Sequence, residues 1–164
     1  AAVKAELEDM NCTLILEPGR VITGNAGVLI SEVQYTKVNS GGEKEKRFVI
    51  IDAAMNDLTR PSLYSAYHEI LPVQKPAEDA VQREVDVVGP ICETGDTFAR
   101  GLELPVLDAG DRVAICNAGA YGAVMASIYN TRPLVPEVLV DDGRGRVVRQ
   151  RVAAADLIAL DAAD

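Results

Sequence analysis

The sequence has little of what metal sites and disulfide frameworks are made from. Its 164 residues include one histidine, His68, and three cysteines, Cys12, Cys92 and Cys116. A single histidine excludes a histidine-rich metal site and any mechanism that needs two imidazoles. An odd number of cysteines without paired spacing is not typical of a disulfide framework or a zinc site. We therefore expect neither a metal nor a disulfide.

The sequence also lacks a basic cluster and a long apolar run. Lys and Arg number 16 against 25 Asp and Glu, a formal net charge of −9, whereas nucleic-acid-binding faces are usually basic. The longest apolar runs, such as 48–51, are far shorter than the ~20 residues that cross a bilayer, and no signal peptide or lipidation motif is present. We expect a soluble, cytoplasmic protein with no nucleic-acid or membrane partner.

Composition favours a folded chain. Hydrophobic residues make up 48% and charged residues 25%, which is the balance of globular proteins. A chain of this length can bury about 70% of the surface that it exposes when unfolded. Because the sequence starts at Ala1 without a methionine, we expect it to be a piece of a longer protein.

The beginning of the chain has the pattern of a parallel α/β unit. Residues 3–10 combine helix formers with apolar residues at helical spacing, and 13–16 form a continuous apolar run. Such a run is typical of a strand buried on both faces. Pro18 and Gly19 end it, and a short helix is predicted at 21–26.

From residue 28 the pattern changes to short β-strands separated by Gly and Pro. Strands are predicted at 28–38, 46–53, 70–73, 81–88, 98–102, 112–117, 137–140 and 146–151, and short helices at 62–67, 123–129 and 154–160. A turn at 39–43 makes the first two strands a hairpin. This spacing favours a mainly β domain, an antiparallel barrel or sandwich. We therefore divide the chain into 1–27 and 28–164.

Glu17, Pro18, Gly19 and Arg20 form the first candidate site, at the end of the predicted buried strand. In a (β/α)₈ barrel this end of a strand is the active-site face. Gly19 lets an anion approach the backbone, and Arg20 offers a planar cation suited to phosphate or carboxylate. An ordinary Pro-Gly turn with a surface arginine is the alternative.

Arg60 and Tyr64 form the second candidate, in a polar stretch after an apolar strand. They are four residues apart, so a helical turn places both on one face, where they can hold a substrate carboxylate. Taken alone, the segment is better explained as a capped surface helix, with Arg60 solvated and Tyr64 half-buried.

Cys92 and Glu93 form the third candidate, in the Gly- and Pro-containing loop 89–96. Cys92 suits a nucleophile or a proton donor, and Glu93 can bind an ammonium group. A lone cysteine is more often a small buried hydrophobic residue. A nucleophile also lacks a partner here, because His68 lies in a different segment, whereas a proton donor needs none.

Tyr121, close to Gly119 and Gly122 after another apolar strand, is the fourth candidate. The glycines let a ligand approach the backbone, with the phenol directed into a site. A structural tyrosine at a strand end is the commoner alternative. The remaining residues with reactive side chains are interpreted as structural: His68 as a structural histidine, Cys12 and Cys116 as core residues.

The residues and the order of these motifs, taken together, carry more information than each motif alone. In chain order they are Glu-Pro-Gly-Arg at 17–20, Asp-Leu-x-Arg-Pro-Ser-Leu-Tyr-x-Ala-Tyr-His at 57–68, Gly-Pro-x-Cys-Glu-Thr-Gly-Asp at 89–96, Asn-Ala-Gly-Ala-Tyr-Gly at 117–122 and Tyr-Asn-Thr-Arg-Pro at 129–133. From Glu17 to the C terminus the chain resembles the C-terminal part of the diaminopimelate decarboxylases. The related ornithine and arginine decarboxylases share the first motif and a Cys-acid loop.

The resemblance implies the C-terminal β domain of a fold-type III pyridoxal-phosphate decarboxylase, with the alanine-racemase-like fold. That family has an N-terminal (β/α)₈ barrel of roughly 250 residues, so 1–27 is expected to be the last β/α unit of a truncated barrel and 28–164 the β domain. The lysine that holds the cofactor belongs to an early barrel strand. No lysine here lies in a matching context: Lys4, Lys37, Lys44, Lys46, Lys75. The isolated chain is expected to be inactive.

The same resemblance implies a role for each candidate residue. Pyridoxal 5'-phosphate is expected to contact Glu17, Gly19, Arg20 and Tyr121. The amino-acid substrate is expected to contact Arg20, Arg60, Tyr64, Glu93 and Tyr121. Cys92 is the expected proton donor. In this family the Cys-Glu loop reaches into the partner subunit's site, so a homodimer with shared active sites is expected.

The function implied for the full-length protein is conversion of meso-2,6-diaminopimelate to L-lysine and CO₂, the last step of lysine biosynthesis. Two arginines suit the distal carboxylate of this substrate, which ornithine and lysine lack. Two alternatives stay open: an ornithine, arginine or carboxynorspermidine decarboxylase of the same fold, and a non-catalytic β domain that binds or dimerises.

Overall fold

The β-rich region builds one six-stranded sheet in the computed structural model, which describes residues 2–7, 10–42 and 45–161. The strands are β1 (Leu29–Asn39), β2 (Lys46–Ile51), β3 (Ile70–Pro72), β4 (Gln82–Val88), β5 (Thr97–Pro105) and β6 (Arg112–Ile115). Their order across the sheet is β3-β6-β1-β2-β4-β5. The two edge strands, β3 and β5, contact each other, so the sheet is nearly closed into a barrel.

The strands of this sheet pair antiparallel, except for β2 and β4. In that pair Phe48 lies opposite Asp86 in parallel register. Parallel neighbours need a crossover connection of a dozen or more residues. Here the crossover contains β3 and a short helix, α2 (Arg60–Tyr64). The mainly β barrel-like fold is confirmed, with one parallel pair in place of a wholly antiparallel arrangement.

Apolar side chains from the strands and from one connecting loop fill the inside of the sheet. The largest side chains with less than 2% of their surface exposed are Val33, Ile51, Leu58, Val87, Val113 and Ile115. Full burial of one such side chain stabilises the folded state by about 1.5–3 kcal/mol. This core therefore fixes the strands whose ends carry the candidate site residues.

Shorter elements surround the sheet. They are α1 (Ala2–Glu6), α3 (Ala154–Leu160), the hairpin of β7 (Glu137–Asp141) and β8 (Arg144–Arg149), and 3₁₀ turns at Arg20–Ile22, Gly24–Ala26, Ala123–Met125 and Tyr129–Thr131. The hairpin turns through Asp142 and Gly143, both left-handed, at φ 47° and 72°. Within the described ranges, no helix is long and apolar enough to cross a membrane.

The strand predicted at 13–16 is wrong for this chain. Residues 11–19 have no regular secondary structure and are exposed, and Ile15 has 80% of its surface accessible. A parallel strand forms only beside neighbouring strands, and the described residues provide none here. Of the expected last β/α unit, only α1 and two 3₁₀ turns are formed. Cys12, expected in the core, is therefore exposed.

Other boundaries differ by local geometry. The helix expected at 3–10 is α1, and two of its predicted residues, Glu8 and Asp9, lie outside the described residues. Glu43 and Lys44, at the end of the first hairpin turn, also lie outside them. The helix predicted at 62–67 is α2, which ends at Tyr64. The next residue there, Ser65, is left-handed at φ 51°.

The helix predicted at 123–129 is replaced by two separate 3₁₀ turns. Ala126, directly after the first turn, is extended at φ −63° and ψ 150°, so no continuous α-helix runs through 123–129. Cys116, the other cysteine expected in the core, is half-buried.

Candidate functional site

Two glycines bring residues 20–27 against the loop of residues 117–122. A Cβ added at Gly119 would lie 2.7 Å from the backbone nitrogen of Gly27, so only glycine fits at this crossing. The Ala118 amide donates a hydrogen bond to the Gly27 carbonyl oxygen at 2.9 Å. This close approach joins the Glu-Pro-Gly-Arg segment to the loop that carries the candidate tyrosine.

Arg20 and Tyr121 meet at this junction. Nη2 of Arg20 donates to the carbonyl oxygen of Asn117 at 3.2 Å. A Cβ added at Gly19 would lie 3.6 Å from the Tyr121 hydroxyl, so the phenol lies beside the Gly19 backbone. Tyr121 itself is left-handed, at φ 56°, which is uncommon for a bulky residue and is found mainly where surrounding structure enforces it.

The Arg60 guanidinium lies over two tyrosine rings. Its guanidinium carbon is 5.5 Å from the ring centroid of Tyr64 and 5.6 Å from that of Tyr121. Tyr64 lies on the same helix as Arg60, whereas Tyr121 is distant in the chain and is brought to Arg60 by the tertiary fold. Each cation–π contact stabilises by roughly 0.5–1 kcal/mol at an exposed site. The interpretation of Arg60 as a solvated residue on a capped helix is wrong, because Arg60 is half-buried and α2 has no side-chain cap.

His68 lies in the same region. It is 2% exposed, and its Nδ1 lies 2.8 Å from the Cys116 carbonyl oxygen. A carbonyl oxygen can only accept a hydrogen bond, so Nδ1 carries a proton. Burial lowers the pKa of His68, the Cys116 bond raises it, and the positive charges of Arg20 and Arg60 lower it further. His68 is therefore a neutral imidazole beside two guanidiniums.

We call Arg20, Arg60, Tyr64, His68 and Tyr121 the arginine–tyrosine cluster. Four of its five members are candidate residues that the sequence identified. His68 was assigned a structural role, and the only signal for it was its position at the end of the Tyr-x-Ala-Tyr-His motif. Glu17 lies in the exposed segment before Gly19, and among the described residues no hydrogen bond or ion pair joins it to this cluster.

Cys92 and Glu93 lie on a different loop, which a buried carboxylate holds in place. Asp96 is 2% exposed and accepts hydrogen bonds from the amides of Met55 at 2.7 Å and Ile91 at 2.6 Å. Burial raises the pKa of Asp96, and these two bonds oppose that rise. The loop is thus fixed from inside, while Cys92 and Glu93 are exposed. The interpretation of Cys92 as a buried hydrophobic residue is wrong.

Glu93 has a partner that sequence reasoning missed. The hydroxyl of Tyr129 donates to Oε1 of Glu93 at 2.6 Å. This hydrogen bond and the negative charge of Glu93 raise the pKa of Tyr129. The Tyr-Asn-Thr-Arg-Pro motif contains Tyr129, but nothing in its spacing pairs it with a residue 36 positions earlier. We call Cys92, Glu93 and Tyr129 the thiol–carboxylate group.

Arg132 anchors the segment that carries Tyr129. Its Nε donates to Oδ1 of Asn56 at 2.9 Å, its Nη2 donates to the Asp52 carbonyl oxygen at 2.6 Å, and it lies 3.6 Å from Oδ2 of Asp57. Burial raises the pKa of Asp57, and Arg132 opposes that rise. These contacts hold the segment that carries Tyr129 against the end of β2.

The loop of the thiol–carboxylate group is in contact with one helix of the arginine–tyrosine cluster. A Cβ added at Gly95 would lie 2.7 Å from the hydroxyl of Ser62, so the Cys92 loop packs against the helix that carries Arg60. In the part of the chain that the structure describes, no three or more His, Cys, Asp or Glu side chains lie close enough together to hold a metal ion.

A family profile described as "Pyridoxal-dependent decarboxylase, C-terminal sheet domain" matches residues 12–119. The chain belongs to this family. This sheet domain is 50% identical over 156 residues to the diaminopimelate decarboxylase of Zymomonas mobilis, a match that covers 95% of this chain and 35% of that protein. It is 48% identical over 149 residues to that of Aquifex aeolicus, with 91% and 34% covered.

A solved structure gives the same result. The sheet domain superposes on the crystal structure of diaminopimelate decarboxylase from Helicobacter pylori complexed with L-lysine with a TM-score of 0.80 and 46% identity, covering 97% of this chain and 38% of that one. The resemblance drawn from the motifs is confirmed. The chain spans about a third of the length of the relatives it matches.

The donor groups of the arginine–tyrosine cluster are chemically suited to the anionic oxygens of pyridoxal 5'-phosphate. Nε of Arg20 and Nε of Arg60 are buried, and neither has a hydrogen-bond partner among the described residues. The hydroxyl of Tyr121 lies beside the Gly19 backbone. Guanidinium and phenol donors suit phosphate and carboxylate oxygens, so these residues are able to hold the anionic parts of a cofactor or substrate.

Proposed function

We propose that this chain is the C-terminal sheet domain of a diaminopimelate decarboxylase, which converts meso-2,6-diaminopimelate to L-lysine and CO₂. The observation that carries the proposal is the Arg60 guanidinium over the rings of Tyr64 and Tyr121, with Arg20 at the same junction. Relatives of that name, at 50% and 48% identity, support the choice of substrate.

The cluster explains how the distal carboxylate of diaminopimelate is selected. A guanidinium that contacts two aromatic rings is restrained in orientation, and its planar edge matches a carboxylate through paired hydrogen bonds. L-Lysine lacks the distal carboxylate, so its binding leaves partly buried cationic donors without a partner. A buried donor without a partner costs about 1–3 kcal/mol, and this cost disfavours both the product and shorter amino acids such as ornithine.

The cofactor side of the site uses Glu17, Gly19, Arg20 and Tyr121. When bound, pyridoxal 5'-phosphate supplies the electron sink that takes up the electron pair left by the departing carboxylate. Arg20 and Tyr121 offer donors to its anionic oxygens, and the missing side chain at Gly19 lets it approach the backbone. The residue that holds the cofactor covalently lies in the barrel of the full-length protein.

The thiol–carboxylate group binds the distal ammonium of the substrate and supplies the proton. Glu93 binds the distal ammonium through a charge-assisted hydrogen bond, and Cys92 returns a proton to the α-carbon. Both side chains are exposed on a loop that Asp96 holds in place, which suits groups that serve the site of a partner subunit. A homodimer and a cytoplasmic location stay predictions.

A chimera tests the proposal. In the Zymomonas mobilis enzyme, the matching C-terminal third is replaced by this chain, and CO₂ release is measured with diaminopimelate, ornithine, arginine and carboxynorspermidine. We expect lysine and CO₂ from diaminopimelate, with far slower turnover of the others. A chimera that folds and shows cofactor absorbance but leaves diaminopimelate intact would contradict the proposal, and so would a preference for another substrate.

Two substitutions in the chimera test the roles on the loop. Glu93→Ala is expected to lower kcat/KM for diaminopimelate at least about tenfold, because a charge-assisted bond is worth ~1.5–3 kcal/mol. Cys92→Ala is expected to lower mainly kcat, with Cys92→Ser as the matched control that keeps a weaker proton donor. Unchanged kinetics of Glu93→Ala would contradict the role of Glu93. An effect of Cys92→Ala on KM alone would contradict the role of Cys92.

A further inference from the structure

Three buried polar atoms of the arginine–tyrosine cluster have no hydrogen-bond partner among the described residues. They are Nε of Arg20, Nε of Arg60 and Nε2 of His68. Buried polar atoms are nearly always paired in folded proteins, because an unpaired one destabilises the folded state. Three of them in one cluster therefore need a common explanation.

A backbone carbonyl group, that of Cys116, determines which nitrogen of His68 carries the proton. Because Nδ1 must donate to the Cys116 carbonyl oxygen at 2.8 Å, a neutral imidazole leaves Nε2 with a lone pair and no proton. Burial and the two nearby guanidiniums both lower the pKa of His68, which keeps the ring neutral. Nε2 is thus a hydrogen-bond acceptor.

Neighbouring carbonyl groups hold this acceptor beside the arginines. Cys116 accepts from His68, and the next residue, Asn117, accepts from Nη2 of Arg20 at 3.2 Å. Arg60 joins the same loop through its stacking on Tyr121. One acceptor and two N–H donors therefore lie in one cluster, and their chemistry is complementary.

We propose that His68 is a positioning residue, whose Nε2 accepts the Nε–H of Arg20 or Arg60 and so orients the guanidinium edge toward the substrate carboxylate. The bond is direct, or it passes through one water that accepts from the arginines and donates to Nε2. This inference rests on the proposed function, since it deepens the carboxylate-binding role of the two arginines.

Two substitutions separate positioning from a structural role. The amide of His68→Asn ends where Nδ1 lies, so it keeps the bond to Cys116 and loses the acceptor. The amide of His68→Gln ends where Nε2 lies, so it keeps the acceptor and loses the bond to Cys116. In the chimera we expect His68→Asn to raise KM for diaminopimelate about tenfold with kcat changed less than about twofold, and His68→Gln to keep KM within about threefold while lowering Tm more.

If KM followed Tm in both variants, His68 would be merely structural and the proposal would fail. A spectroscopic measurement needs no variant to be stable. In this chain labelled with ¹⁵N-histidine, every imidazole signal belongs to His68, because it is the only histidine. We expect a protonated Nδ1 and an unprotonated, hydrogen-bonded Nε2. A protonated Nε2 would overturn the proposal.

The outcome is distinguishable from failure of the proposed function. If the chimera prefers ornithine or another amino acid, the proposed function fails, while the tautomer measurement still decides whether Nε2 is the acceptor. If diaminopimelate is the substrate but the two variants behave alike, the function stands and the role of His68 falls.

Discussion

The arginine–tyrosine cluster and the thiol–carboxylate group are assembled in opposite ways. The first is positively charged, draws its members from distant segments, and depends on backbone contacts between glycines and on stacked rings. The second lies on one short loop with Tyr129 added, and its reactive side chains are exposed. One group is organised by tertiary packing, and the other by a single buried carboxylate beneath its loop. Substitutions at these supports are expected to affect one group and spare the other.

The largest expected effect is on the support of the Cys92 loop. Asp96→Ala leaves one buried and one partly buried backbone N–H group without their acceptor, and each costs about 1–3 kcal/mol. We expect the free energy of unfolding, measured with urea, to fall by about 4 kcal/mol. Asp79→Ala, at an exposed aspartate, is the control and is expected to change it by less than about 0.5 kcal/mol. Similar values for the two would refute the role of Asp96.

Gly119→Ala is expected to damage the arginine–tyrosine cluster instead. The new Cβ would lie 2.1 Å from the Thr23 carbonyl oxygen, which is backbone and cannot rotate away. Overpacking of this kind costs about 1–3 kcal/mol, and it separates Arg20 from Asn117. The matched control is Gly19→Ala, whose Cβ meets only the Tyr121 hydroxyl at 3.6 Å. Urea unfolding of both variants checks this, and equal losses would contradict the close-packed crossing.

A smaller effect is expected in the pH dependence of stability. The pKa of His68 is lowered in the folded state, so the unfolded chain binds a proton more readily as pH falls through about 6.5. The free energy of unfolding contributed by His68 is therefore fully present above that pH and is lost below it. Urea unfolding across this window measures the slope.

His68→Gln is the control for this slope, because its side chain does not titrate. Asp57 and Asp96, whose pKa values are raised, contribute an opposite slope that begins above pH 3.8. They are present in both proteins, so their contribution cancels in the difference. Identical profiles for the two proteins would show that His68 titrates normally in the folded state.

The smallest effect is expected at the exposed edge of the thiol–carboxylate group. Tyr129→Phe removes the hydroxyl that donates to Glu93. Because the pair is exposed, stability should change by less than about 0.5 kcal/mol, while kcat/KM of the chimera falls about threefold as Glu93 loses its orienting bond. Tyr67→Phe, at a tyrosine that is 75% exposed, should leave both unchanged. A loss of stability without a kinetic effect would make the Tyr129 bond structural only.

The strands of the sheet were accessible from the sequence because their signals are local. Alternation of apolar residues and Gly or Pro punctuation predicted every strand of the barrel within a few residues, including β1 and β5. The same local signal failed at 13–16, since an apolar run becomes a strand only when neighbouring strands pair with it. The parallel pairing of β2 with β4 was also missed, because strand order is a property of the whole sheet.

The candidate residues were likewise identified by type and order, and their contacts were not. The motifs supplied Arg20, Arg60, Tyr64 and Tyr121, but no spacing rule places the Arg60 guanidinium over the ring of Tyr121, 61 positions later in the chain. The hydrogen bond between Tyr129 and Glu93 could not be predicted for the same reason.

By itself the sequence determined which strands form, which turns separate them and which side chains are available for chemistry, because these depend on neighbours a few residues away. The tertiary structure alone decided that Gly119 and Gly27 touch, that Arg60 contacts the ring of Tyr121 as well as that of Tyr64, and that Nε2 of His68 is a buried acceptor near two cations. Those features arise from contacts between residues far apart in the chain, and such contacts exist only after the core has brought the strands together.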